Sequence, residues 1–152
     1  MTSTTSTTTS LGLLLARVAL GGTFVAHGVQ KVALQGVPAT QEGFAAMGAP
    51  VPDVTGPLVA GIEIVAGVLV VLGLGTRVAA LLLAATSVGA IVLVHGSSGF
   101  FAADGGWEFV GVLAALGVAL ALTGPGRLSV DALVVGRRRR PEARRESSPA
   151  VA

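Results

Sequence analysis

The chain contains no cysteine. Disulfides, thiolate metal sites and thiol–disulfide exchange by its own side chains are therefore excluded. Charge is almost as scarce. Asp, Glu, Lys and Arg make up 12% of the 152 residues, against about 25% in ordinary globular domains. No Gly-x-Gly-x-x-Gly after a strand, no Walker loop and no Ser-His-Asp set in a suitable context occurs, so nothing points to nucleotide binding or to a triad hydrolase. The run GLGTR, 73–77, reads instead as a turn between helices. The opening MTSTTSTTTS lacks the basic n-region of a signal peptide, and the apolar stretch behind it is too long for an h-region. That stretch is read as a retained helix.

What is present is apolar. Hydrophobic residues form 52% of the chain and the mean hydropathy is +0.81. Four segments, 11–33, 54–74, 77–95 and 107–123, approach the roughly 20 residues that cross a bilayer's hydrocarbon at 1.5 Å per residue. The expected fold is all-α, a four-helix transmembrane bundle over 11–131. A polar disordered N-terminus, 1–10, precedes it, and a basic disordered cytoplasmic tail, 132–152, follows. Glycines inside the spans suit close helix packing in lipid, as do small residues four apart at Ala80/Ala84, Ala85/Gly89 and Gly111/Ala115.

Eight of the ten basic residues lie at or after Arg77. Arg77, Arg127, the run Arg137 to Arg140, Arg144 and Arg145 fall on one side of a four-span path, and Glu42, Asp53 and Asp104 on the other. The positive-inside rule then puts both termini in the cytoplasm. The tail reads as an anchor on anionic lipid or a docking point for a soluble partner. The first outer loop is long enough for a short helix, Thr40 to Met47, with Thr40 as its N-cap and Phe44 and Met47 facing the membrane surface or the bundle.

A charge near the centre of a span costs about 2.5 to 3.5 kcal/mol even on the lenient insertion scale. Six residues ask for a reason: Arg17, His27 and Lys31 in the first span, Glu63 in the second, His95 ending the third and Glu108 starting the fourth. Arg17, Gly21, Phe24, Gly28 and Lys31 follow a 4-3-4-3 spacing and so form one stripe, expected to face the interior. Cβ bonds lean toward a helix's own N-terminus, so His27 and Lys31 lean toward the membrane middle and Glu63 leans back toward them. The expected intramembrane polar site is His27, Lys31, Glu63 and Arg17, with His95 and Glu108 as secondary candidates. Gly21, Gly28 and Gly67 are expected to serve helix packing. Bland readings stand beside this one. Lys31 and Arg17 reach headgroups by snorkelling, His95 and Glu108 sit at the interface, Trp107 is a belt anchor, and Glu63 with Lys31 or Arg17 is a purely structural pair. A bis-histidine haem is disfavoured because His27 and His95 differ in depth. No metal site is expected.

The segments RVALGGTFVAHGVQK, GIEIVAGVLVVLGLGTR and GPGRLSVD, in that order on a four-span chain, resemble the DoxX family of small bacterial membrane proteins. The resemblance runs from Leu11 to Asp131 and touches Arg17, His27, Gly28, Lys31, Glu63, Gly67, Thr76, Arg77 and Asp131. It implies a multi-pass protein of the bacterial cytoplasmic membrane, linked to membrane oxidoreductase assemblies, to quinone-coupled chemistry and to oxidative-stress complexes with soluble redox partners. It attaches no catalytic role to any of these positions.

Three functions remain open at this stage. A subunit of an oxidoreductase system that contacts quinone predicts a ligand-sized apolar cavity beside Glu63. A small proton-linked transporter predicts a continuous polar path. A non-catalytic scaffold predicts tight packing with saturated ion pairs. The bilayer is the certain partner, soluble redox proteins at the cytoplasmic face and a homo-oligomer are further ones, and nucleic acid is not expected.

Overall fold

The structure, a computed structural model, describes residues 6–134. Arg137 to Arg140, Arg144 and Arg145, assigned above to the tail, lie outside the described residues. Five α-helices carry the fold: α1 Thr7–Val29, α2 Val37–Ala46, α3 Pro52–Leu72, α4 Thr76–Ala90 and α5 Glu108–Thr123. No strand occurs among the described residues. Two helices continue as wider π turns, α1 through Gln30–Gln35 and α4 through Ile91–His95.

Three helical stretches are long and apolar enough to cross a bilayer: Thr7–Gln35, Pro52–Leu72 and Thr76–Ser98. α5 is apolar but shorter, at 16 residues. Their outer faces are as apolar as their inner ones. Leu15, Val65, Val78 and Leu122 are all largely exposed, the pattern of helices solvated by lipid rather than water.

Helix boundaries follow local chemistry. α1 begins at Thr7, earlier than expected, because the Ser6 hydroxyl accepts from the Thr9 N–H and caps the first turn. α3 ends where Gly73 enters the left-handed region at φ 71° and the Leu74 N–H reaches back to the Leu69 carbonyl at 2.9 Å, a Schellman closure. Gly75, at φ 56°, then starts α4.

α1 packs chiefly on α3, and α4 chiefly on α5. Glycine sets both contacts. A Cβ on Gly21 would lie 2.5 Å from the Gly67 carbonyl oxygen, and one on Gly67 would lie 2.8 Å from that of Gly21. On the other side a Cβ on Gly117 would meet the Ala80 oxygen and Ala84 Cβ at 3.0 Å, which gives the Ala80/Ala84 pair its partner. The core between the two helix pairs consists of Leu20, Phe24, Ala66, Val70, Leu83, Leu113 and their neighbours.

One end of this bundle holds the 73–75 turn and the segment after α5. The other holds α2, the π turns and the 96–106 loop. At the first end Arg17 is buried and its Nη2 donates to the Leu128 carbonyl. Its guanidinium passes so close to Gly73 that any Cβ there would collide with it. The Gly75 N–H donates to Asp131 Oδ1 at 3.1 Å, and the Asp131 N–H to the Gly73 carbonyl at 3.0 Å. Asp131 thus caps α4 from another element and holds 124–131 against the α3–α4 turn. Arg17 Nε and Nη1 and the Thr76 hydroxyl find no hydrogen-bond partner among the described residues. Asp131→Ala is expected to cost about 1 kcal/mol, the usual worth of a helix cap, read as a lower melting temperature in detergent and faster amide exchange at Gly75.

Candidate functional site: a cavity beside a buried ion pair

At the opposite end the π turn of α1 carries Lys31, and the middle of α3 carries Glu63. Lys31 Nζ donates to Glu63 Oε1 at 2.9 Å and to Oε2 at 2.7 Å. The Glu63 side chain is 6% exposed and that of Lys31 22%. A carboxylate so deep needs a counter-charge, and Lys31 supplies it to both oxygens.

Gly28 allows this approach. A Cβ there would lie 2.8 Å from the Ala60 carbonyl oxygen and 3.1 Å from Glu63 Cβ. α2 completes the arrangement. The Thr40 hydroxyl shares its one proton between the Lys31 carbonyl, at 2.8 Å, and the Gly36 carbonyl, at 3.0 Å, serving a backbone group of the widened π turn. Thr40 is therefore a buried contact inside α2 rather than its N-cap. The helix starts three residues earlier because Gly36, at φ 85°, turns the chain and Pro38 suits a first turn. α2 also repairs α3. Pro57 removes the N–H that the Asp53 carbonyl would accept, and the Gln41 side-chain amide donates to that carbonyl at 2.9 Å instead.

Beside the ion pair lies a cavity of about 630 Å³, within the usual range for small-molecule sites. His27, Lys31 and Glu63 form its polar wall, Thr86 and Ser87 of α4 face them, and Phe44, Met47, Phe109 and Leu113 are among its apolar lining. The cavity exists because α4 presents Ala85, Gly89 and Ala90 at this level, side chains too small to fill the space between the two helix pairs. Gly89 has no atom within 4 Å of where a Cβ would stand. Both π turns border the cavity, a placement frequent at functional sites.

The residues singled out from the sequence separate into two groups. His27, Lys31, Glu63 and His95 all reach this cavity. The His27 side chain stands on its wall with no hydrogen bond to another described residue. His95 donates from Nδ1 to the Gly105 carbonyl at 2.6 Å, tying the π turn to the 96–106 loop. Arg17 does not belong here and is corrected. It is 14 residues before Lys31 on one helix, about 21 Å away at 1.5 Å per residue, and it serves the other end of the bundle. Glu108 is also outside the cavity. Its Oε1 accepts from the Ala102 N–H at 2.9 Å and orders the loop before α5. Thr86 and Ser87 went unremarked in the sequence, because a lone hydroxyl in an apolar helix ordinarily bonds its own backbone. Both do so here, to Leu82 and Leu83.

The chain is 38% identical over 124 residues, 82% of its length and 87% of the relative's, to "Putative oxidoreductase CatD" of Bacillus subtilis (strain 168). It is 32% identical over 125 residues, 78% of its length and 87% of the relative's, to "Inner membrane protein YphA" of Escherichia coli (strain K12). No solved structure matches the chain. Residues 12–96, which carry Arg17, the ion pair and the 73–75 turn, match the DoxX family, and the chain belongs to it.

Proposed function

We propose that this protein is a four-span subunit of an oxidoreductase system in the bacterial cytoplasmic membrane and that its cavity receives a quinone headgroup. The single observation that carries this reading is the 630 Å³ cavity set directly against the Lys31–Glu63 pair. Its residues fit the ligand. His27 and Lys31 offer donors to the two carbonyl oxygens of a quinone, Phe44 and Phe109 offer flat apolar walls, and Glu63 is placed to pass a proton between the ring and Lys31. A quinone takes up two electrons and two protons on reduction, and a redox partner supplies the electrons. The oxidoreductase name of the Bacillus relative and the membrane name of the Escherichia relative support the assignment.

α5 is the fourth span in this reading, and Trp107 anchors its start at the interface. Arg77 and Arg127 mark the end that holds the 73–75 turn as cytoplasmic, where soluble redox proteins dock. The cavity then lies in the outer half of the bilayer. A proton-linked transporter fits less well. The polar groups at the two ends are separated by the apolar layer of Leu20, Phe24, Ala66, Val70 and Leu83, and among the described residues no continuous polar path links them. A pure scaffold explains the saturated ion pair but not a cavity beside it.

The test is quinone content of the detergent-purified protein, in wild type, Glu63→Gln and His27→Ala. Stoichiometric quinone is expected in wild type, with at least a tenfold loss of affinity in each variant, the worth of one good hydrogen bond to a charged group. A folded wild type that neither retains nor binds quinone overturns the proposal.

A further inference from the structure

A second hollow adjoins the cavity. This groove of about 600 Å³ runs along the outside of α5 and shares two wall residues, Ala102 and Phe109, with the cavity. Gly111 and Ala115, one helical turn apart, lie along it, Val112 borders it, and Trp107 lines it where α5 begins. The indole lies across Gly111, where a Cβ would come within 2.9 Å of the ring, and Phe100 packs edge-on against that ring with centroids 5.0 Å apart. Among the described residues Glu108 is the one charged group on the groove wall, and its carboxylate accepts the Ala102 N–H. From Trp107 to Ala115 the groove follows α5 for about 12 Å at 1.5 Å per residue, the reach of a few isoprene units.

We infer that this groove holds the apolar chain of the molecule whose ring occupies the cavity, so that the ligand class is long-tailed quinones rather than small water-soluble ones. The inference rests on the quinone reading above. A ring beside His27 meets packed core at Phe24 and Leu113, whereas at Phe109 and Ala102 the cavity borders an apolar trough open to lipid. A chain leaving the ring on that side exchanges lipid contact for contact with Gly111, Val112 and Ala115. The polar edge of the ring stays turned toward Glu63. The furrow left by the small pair Gly111/Ala115 thus receives a ligand chain rather than a neighbouring helix of the bundle.

The experiment compares two probes with one benzoquinone ring, one without a chain and one with a decyl chain, on the full-length protein in detergent. Micelle partitioning favours the tailed probe for every variant, so the preference is read as a ratio between variants. Wild type is expected to prefer the tailed probe by at least about tenfold, given that each buried methylene contributes strongly. Ala115→Phe fills the groove from an exposed position and is expected to cut that preference at least about fivefold, leaving the tail-less probe's affinity unchanged. If Ala115→Phe also weakens the tail-less probe, Val112→Trp, at a position 64% exposed, decides the case from the other wall. An undiminished preference in the groove-filled variant overturns the inference and leaves ring binding intact, and so does a change in oligomeric state alone. Failure of both probes to bind wild type overturns the quinone reading itself.

Discussion

Lys31→Met is expected to destabilise the folded protein by about 3 kcal/mol, and Glu63→Gln by about 1 kcal/mol, although the two residues form one ion pair. The asymmetry follows from burial. Removing Lys31 leaves a carboxylate 6% exposed, with both oxygens deprived of the ammonium they shared. Removing the Glu63 charge leaves a lysine that is 22% exposed, with a four-carbon stem long enough to carry its head toward the interface. The double variant Lys31→Met/Glu63→Met is expected to be more stable than Lys31→Met alone, since apolar replacement of a buried pair is often neutral. Unfolding by detergent titration, arranged as a double-mutant cycle, measures the coupling. Equal costs for the two single variants would mean that both charges reach water equally. Glu63 would then be no candidate for a buried proton relay.

Gly21→Ala and Gly67→Ala are each expected to cost about 2 to 3 kcal/mol, the upper range for overpacking, because the new methyl meets a backbone oxygen that no rotamer change can move aside. At Gly21 it lies 2.5 Å from the Gly67 oxygen and 2.7 Å from Val71 Cγ2; at Gly67 it lies 2.8 Å from the Gly21 oxygen. α1 and α3 must separate to admit it. Gly22 and Gly61 provide the controls, as neither has an atom within 4 Å of the place a Cβ would take. Alanine at either is expected to leave stability unchanged or raise it by about 0.5 kcal/mol through helix propensity. Parallel melting curves for the four variants make the comparison. Separation of α1 from α3 also draws Lys31 from Glu63, so Gly21→Ala and Gly67→Ala are expected to weaken binding of the proposed quinone together with stability.

Much of the site's polar edge was legible in the sequence. A 4-3-4-3 spacing put Arg17, Gly21, Phe24, Gly28 and Lys31 on one stripe, and the structure buries the first four and half-buries the fifth. The opposite lean of Cβ bonds on antiparallel helices aimed Lys31 at Glu63. The same stripe misled at Arg17. Periodicity names a face but not the partner met at each level along it, and Arg17 meets Leu128 from a segment that folds back after α5. That contact depends on the left-handed Gly73, which leaves room for the guanidinium. Thr40 misled in another way. A threonine before a glutamate in a loop reads as a cap, yet the earlier turn at Gly36 carries it inside α2 and over the Lys31 carbonyl.

An apolar, helical chain with polar groups at set depths followed from the sequence alone, because lipid demands internally satisfied backbone and makes every intramembrane charge conspicuous. The cavity and the adjoining groove were decided by tertiary structure. Two helix pairs close tightly at their glycines, and α4 offers only small side chains where the pairs meet beside Lys31 and Glu63. Empty space is a property of how surfaces meet, and no single segment of the chain encodes it.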